Sequence, residues 1–279
     1  MTVRIVTDST CDLPAEIISK YGIRVVPLYI NVGAKGYLDG IEMSREEFYT
    51  RLPHFPVHPT TAVPSPEKFL QQYNELESEG ASEILSIHIS QSLSGVENVA
   101  KVAALGTNSV HVTVLDSQQL SLGTGFLVET AAKLAQAGQS LSEILAVLDN
   151  QIKHTYVFAA LDTLEFLKRS GRINGFMAKL GGMLQLKPLL SMYSGFAGTE
   201  RVRTRDGALR RLQELLQSVG KIEKLAIVHT HAIERVQELK ALAAEYVSIE
   251  QILVSDITPV IGAHIGPGAY GFALVTTNK

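Results

Sequence analysis

Two α/β domains are the architecture this sequence predicts, the first built on a mainly parallel sheet. Through the first half, short β-branched runs alternate with helical patterns, and a β-α-β-α order lays parallel strands beneath crossover helices. The chain has 279 residues, more than one small core requires. Hydrophobic residues make up 46% and charged residues 19%, a globular balance with ample material for cores.

Residues 3–7 form the first predicted strand, 14–21 a helix and 24–31 a second strand. Ser44 and Glu47 have the S-x-x-E spacing of a capping box, which opens a helix through Phe48 and Leu52. The stretch HFPVHPTTAVPSP cannot be helical, because each proline lacks an N–H and clashes with the preceding turn. It is expected to be an ordered loop or a linker. Ser65 caps the next helix, with Pro66 at its first position, running through Phe69, Tyr73 and Leu76. A strand at 84–89, a helix at 96–105 and a strand at 110–115 follow, then helices at 120–136 and 141–153, the latter opened by Ser140 and Glu143.

The pattern then changes. A strand at 156–161 leads to a short helix at 164–168 and the polar turn Arg169-Ser170-Gly171-Arg172. Residues 176–186 are apolar but interrupted by glycines. Strands at 189–193 and 199–204 join at Ser194-Gly195. A helix at 207–219, a strand at 225–230, a helix at 233–246 and a strand at 249–254 come next, and GAHIGPGAYG turns into a last strand at 272–276. The boundary is expected near residue 150, giving domains 1–150 and 151–279. There is no internal repeat.

Several function classes are disfavoured. The net charge of −3 and pI near 6.3 argue against nucleic acid, whose phosphates call for a basic surface. A single cysteine, Cys11, cannot form an internal disulfide or a four-cysteine zinc site. No charged start leads into an apolar run, and no run of 18 uncharged apolar residues occurs, so a soluble, cytoplasmic protein is expected. There is no Walker-type G-x-x-x-x-G-K-[ST], hence no ATP site of that kind.

Four polar clusters sit at the ends of predicted strands, where open α/β sheets gather ligands. They are TDSTCD (7–12), PTTAVPSP (59–66), SQSLSG (90–95) and LDSQQLSLGTG (115–125). Hydroxyls beside helix N-termini suit a carboxylate or phosphate, since they donate where the helix dipole favours negative charge. Ser, Thr and Asp at such positions more often cap helices, so each cluster has two readings.

Catalytic and metal readings are weaker. Cys11 could be a nucleophile with His264 or His231 as base, although a lone cysteine is usually a small buried hydrophobe. His229 and His231, with Asp256 and His264 further on, could hold a metal, yet residues two apart on a strand share a face just as readily for packing. Gly123-Thr124-Gly125 lacks a dinucleotide fingerprint's third glycine. The run Arg201, Arg203, Arg205 is ordinarily a solvated face, or it could dock an acidic partner. Phe176, Met177, Leu180, Met183 and Leu184 surround Gly181-Gly182. That stripe is most often core, though Met-rich surfaces also adapt to flexible apolar ligands.

Read together, TDSTCDLP, a TT-x-x-PSP loop, S-x-x-LSG, LDS before a helix, LKRSGRI and GAHIGPGAYG occur in an order that resembles the DegV family of fatty-acid-binding proteins. The resemblance implies two α/β domains with the acyl chain in a tunnel between them. It implies a long-chain fatty acid as ligand with no further cofactor or metal, presented by its carboxylate to a separate ATP-using fatty acid kinase that forms an acyl phosphate. By position, it implies carboxylate contacts from Thr61, Ser94 and His264, and roles in phosphoryl transfer or kinase docking for Arg172 and Arg203. Phe176, Met177, Leu180, Met183 and Leu184 would then line the acyl chain.

The chain departs from the family pattern at Ala62 and Val63, at Val96-Glu97-Asn98 and at Ser170. With hydroxyls absent at 62 and 96, Thr61 and Ser94 are expected to carry more of the head group. The alternatives are a hydrolase or acyl transferase using Cys11 or Ser94 with His264, or a lipid-sensing regulatory module.

Overall fold

The computed structural model describes residues 2–172 and 187–277. Strands β1 (Val3–Asp8), β2 (Arg24–Val26), β6 (Glu83–His88) and β7 (His111–Asp116) form a four-stranded sheet in the order β2-β1-β6-β7, with every pair parallel. The crossovers carry helices α1 (Ala15–Tyr21), α3 (Pro66–Ser78) and α4 (Val96–Ala104). Alternation along the strands assigns the faces. Ile5, Leu85 and Ile87 pack towards α5 (Leu122–Gln136) and α6 (Leu141–Ile152), whereas Val6 and Ile84 pack with Phe69 and Tyr73 of α3 and Ala100 of α4.

The second sheet has six strands in the order β10-β9-β8-β13-β11-β12: β8 (Thr155–Ala160), β9 (Lys187–Tyr193), β10 (Phe196–Val202), β11 (Ile222–His229), β12 (Leu253–Asp256) and β13 (Tyr270–Thr276). Only β11 and β12 pair parallel. One face, with Phe158, Leu225, Ile227 and Phe272, is covered by α8 (Arg205–Ser218) and α9 (Val236–Ala243). The other face sends Val157, Leu190, Val228 and Ala273 into the cluster that contains Phe126 and Leu127 of α5. Helix α5 therefore lies between the two sheets and touches β1, β6, β8 and β13. Residue 150 falls in the last turn of α6.

Four expectations need correcting. The strand expected over 24–31 is two strands in different sheets, because Pro27 cannot donate to a ladder: β2 ends at Val26, and β3 (Tyr29–Val32) pairs instead with β4 (Lys35–Leu38). The proline-rich loop contains a strand, β5 (Thr60–Ala62), with Thr61 opposite Ile30; Pro59 and Pro64 lie outside it. GAHIGPGAYG is not all turn, since Pro259–Ile265 forms helix α10, with Thr258 as N-cap and Pro259 at the first position. The strand expected from residue 249 begins only at Leu253, after a single 3₁₀ turn.

The Ser140–Glu143 capping box is complete. At Ser44 only half of it forms, opening α2 (Arg45–Arg51). The Ser44 hydroxyl accepts from Glu47 N at 3.1 Å, while the Glu47 carboxylate pairs with Arg51 at 2.6 Å.

Helix α10 belongs to the second half of the chain yet packs on α2, β3 and β5 of the first, and on α7 (Glu165–Arg169). Two glycines permit this. A Cβ on Gly262 would overlap the Tyr49 hydroxyl, and one on Gly266 (φ +77°) would overlap the Phe166 ring. His264 is held between those two close approaches.

Candidate ligand-binding site

A cavity of about 110 Å³ lies where β5, the turn before α4 and helix α10 meet. Its polar lining includes Thr10, Thr61, Ser94, Arg172 and His264; Leu28, Ile89, Leu93, Leu120 and Ile261 supply apolar wall. Four side chains assigned by resemblance thus converge, although they come from segments far apart in sequence.

Thr61 Oγ1 lies 2.9 Å from His264 Nε2. Burial, reinforced by the nearby charges of Arg172 and His58, pushes the His264 pKa down to about 4, so the ring is neutral at neutral pH. Its Nδ1 is buried without a partner among the described residues. When the single ring proton sits on Nε2, the histidine donates to Thr61 Oγ1, and the threonine hydroxyl is left to donate into the cavity.

Ser94 is fixed through its backbone, whose N–H donates to Ser90 O at 3.1 Å. Its hydroxyl makes no hydrogen bond among the described residues and lines the cavity. Gly95, the N-cap of α4, lines it too and brings no side chain between the cavity and that helix N-terminus. Val96 is fully buried in the core with Phe69 and Ala100 and is absent from the lining. Ala62 and Val63 do line the cavity and make that stretch of its wall apolar.

Arg172 reaches the cavity edge, its guanidinium donating to Ser170 O at 3.2 Å. Arg203 is exposed in the bend between β10 and α8 and is not part of the cavity lining. The apolar stripe of Phe176, Met177, Leu180, Met183 and Leu184 lies outside the described residues.

Two of the polar clusters do structural work. Asp8 accepts from Thr10 N at 3.0 Å, from Ile89 N at 3.2 Å and from the Thr10 hydroxyl, and lies 2.9 Å from His88 Nδ1. Burial alone would raise its pKa, but His88 and Thr10 outweigh that and hold it below the ordinary carboxylate value. His88 Nε2 is 2.7 Å from Ser86 Oγ, itself 2.9 Å from Tyr73 OH. Ser86, His88 and Asp8 have the connectivity of a hydrolase triad, yet all three are fully buried, so no substrate reaches them.

Asp12 ties together the starts of three helices: Ser121 Oγ donates to it at 2.6 Å, Thr258 N at 2.8 Å and Arg45 at 3.1 Å. Burial is the largest influence on Asp12 and pushes its pKa up to about 6, despite Arg45 and these donors.

Neither the Cys11 nor the His229–His231 arrangement assembles among the described residues. Cys11 is buried, and burial pushes its thiol up to about 12, far from an active nucleophile. The ring nitrogen of His264 meets Thr61, not Cys11 or Ser94. His229 Nδ1 lies 3.3 Å from Asp256 Oδ1, the oxygen to which His231 N donates at 2.8 Å, and the His231 ring stacks on Tyr49. Among the described residues no three metal-ligating side chains converge.

Sequence reading missed a second, mostly apolar cavity of about 30 Å³ against the six-stranded sheet, with Ser121 and Ser191 as its polar lining residues. Val157, Ala159, Leu190, Met192 and Val228 line it, and it shares Leu120, Ile261 and Ile265 with the first. Its signal was the two-residue alternation on the strands expected at 156–161 and 189–193, which gives one face of the sheet but not what lies opposite.

Fold and site together define an α/β protein with a cavity bearing hydroxyls and an imidazole, beside a smaller and more apolar one. The chain belongs to the DegV family: the family model described as an uncharacterised protein of that family matches residues 2–277. It is 35% identical over 274 residues to a DegV domain-containing protein of Streptomyces coelicolor, covering 96% of each chain. To one of Deinococcus radiodurans it is 35% identical over 278 residues, covering 98% of each.

Among solved structures, a DegV family protein from Thermus thermophilus, described for its fatty acid binding, is 36% identical with a TM-score of 0.89, over 99% of this chain and 100% of that one. DegV of Bacillus subtilis, described as a fatty acid binding protein, is 29% identical with a TM-score of 0.89 over the same shares. No helix among the described residues is long and apolar enough to cross a membrane.

Proposed function

We propose that this protein binds one long-chain fatty acid, with the carboxylate among Thr61, Ser94 and His264 and the acyl chain running from there into the apolar cavity. The observation that carries this is the wall of Leu120, Ile261 and Ile265 shared by a hydroxyl-lined cavity and a mostly apolar one. An amphipathic ligand fits that sequence of surfaces. Each methylene buried contributes about 0.8 kcal/mol, so a long chain supplies ample attraction. A buried carboxylate without donors would protonate, and neutral hydroxyl donors hold it ionised without a salt bridge that would blunt its later attack on phosphorus. The fatty-acid-binding relatives support the same ligand class.

In this reading the halves on either side of residue 150 enclose the ligand in a tunnel, and the protein is a carrier in the cytoplasm. A separate ATP-using kinase takes the presented carboxylate to an acyl phosphate, with Arg172 and Arg203 serving phosphoryl transfer or kinase docking. Native mass spectrometry of the purified protein tests the ligand: a co-purifying fatty acid is expected, and protein that stays empty and binds none when titrated overturns the reading. For presentation, a fatty acid kinase with ATP should yield acyl phosphate only when this protein is present; equal turnover without it overturns that step.

A further inference from the structure

A second polar cavity, of about 190 Å³, opens at one end of the six-stranded sheet. Its side chains come from five places: Asp162 after β8, Lys187 opening β9, Arg205 opening α8, Glu234 and Arg235 after β11, and Tyr270 opening β13. Two of its three cations already have partners. Lys187 is held by Asp162, and Arg235 lies 2.9 Å from Glu238 and 3.8 Å from Glu234. Arg205 makes no ion pair or hydrogen bond among the described residues, so its charge is the uncompensated one.

Tyr270 supplies the second, independent observation. It is only 6% exposed, it lines the cavity, and its hydroxyl has no hydrogen-bond partner among the described residues. Burial raises its pKa, which keeps the proton on that oxygen, and the fields of Arg235 and Arg205 reach it. The residue lines the cavity, so its hydroxyl can donate to an acceptor bound there. The start of α8 adds to the effect. Thr204 Oγ1 accepts from Gly207 N at 3.0 Å, and the N–H groups of Arg205 and Asp206 have no acceptor within the helix.

Unused donors, one unpaired guanidinium and the positive end of a 14-residue helix all call for an acceptor with negative charge. We infer that this cavity binds a phosphoryl group, free or as the end of a larger molecule, with Arg205, Arg235 and the Tyr270 hydroxyl as donors. The two wall carboxylates sharpen the choice. Monohydrogen phosphate carries an O–H that Asp162 or Glu234 can accept, whereas sulfate has no such proton. The site does not depend on the fatty acid reading, because none of its polar side chains lines either cavity used there.

Calorimetric titration of the full chain with sodium phosphate at constant ionic strength tests this. Saturable binding is expected, stronger than for sulfate, and weakened about tenfold by Arg205→Ala and about threefold by Tyr270→Phe. Both variants should keep the unfolding midpoint and the fatty acid affinity of the parent protein. Competition then distinguishes the sources. Displacement by ATP assigns a nucleotide phosphate, displacement by glycerol 3-phosphate a lipid head group, and displacement by neither the free ion. No saturable phosphate binding, binding no stronger than that of sulfate, or binding that both variants leave unchanged overturns the inference.

Discussion

Thr61 on β5 and His264 on α10 meet at 2.9 Å, so a hydroxyl from one half of the chain is oriented by an imidazole from the other. Replacing either partner removes a different part of that arrangement. His264→Ala leaves the threonine hydroxyl free to rotate, and Thr61→Ala removes the donor itself. Each change is expected to weaken binding of a fluorescent fatty acid about tenfold, the cost of one hydrogen bond to a charged group. Ser94→Ala should act similarly, and unchanged affinity would remove that residue from the head-group site.

Acidity should act on His264 and Asp12 with opposite signs. The His264 pKa is depressed to about 4, so between pH 6.5 and 4 the unfolded chain binds more protons at this site, and stability is lost as pH falls. Asp12 is raised to about 6, so between pH 6 and 3.8 the folded chain binds more protons there, and stability is gained as pH falls. In urea titrations at pH 7 and pH 5, His264→Gln should shrink the acid-induced loss of stability and Asp12→Asn should enlarge it. Shifts of the same sign in both variants would contradict these assignments.

The apolar cavity should decide chain length. Ala159→Leu places three extra carbons in it, and volume taken there is volume denied to the far end of the ligand. Affinity for an 18-carbon acid should fall while that for an 8-carbon acid holds. A uniform loss across a chain-length series would place the acyl tail elsewhere.

Cys11 should be silent in the folded protein. With its thiol buried and pushed to about 12, Ellman's reagent at pH 8 should react only at the rate of unfolding, then fully in denaturant. Prompt labelling of the native chain would restore it as a nucleophile.

Gly262→Ala should loosen α10. The added methyl group overlaps the Tyr49 hydroxyl, which donates to Ile257 O at 2.9 Å just before that helix. A destabilisation of about 1–3 kcal/mol is expected in denaturant unfolding, with weaker fatty acid binding in the same variant. Wild-type stability would mean that the helix shifts without strain.

What could be read from sequence followed the reach of each signal. The parallel sheet was legible because β1, β6 and β7 are short β-branched runs separated by well-marked helices. Pro27 was legible as a residue, yet that the chain changes sheets there depends on pairing between β3 and β5, which no local pattern encodes. Thr258-Pro259 carried a helix-start signal that the glycines of GAHIG obscured; Gly262 serves the contact with Tyr49, and Gly266 both ends the helix and admits Phe166. That Thr61, Ser94 and His264 line one cavity matches their expected grouping, which came from the order of the motifs. The apolar cavity was not legible, because Val157, Leu190 and Val228 look like ordinary strand core until the helix layer opposite is known.

The seam between Thr61 and His264 also sets a schedule. A ribosome adds about 5–20 residues per second, so the 203 positions that separate them take roughly 10–40 s to make. Through that interval the first half can fold its sheet, but its half of the pocket has no opposing wall. The cavity is thereby left open until synthesis is nearly complete, and a nascent or truncated chain offers a ligand no closed place to lodge.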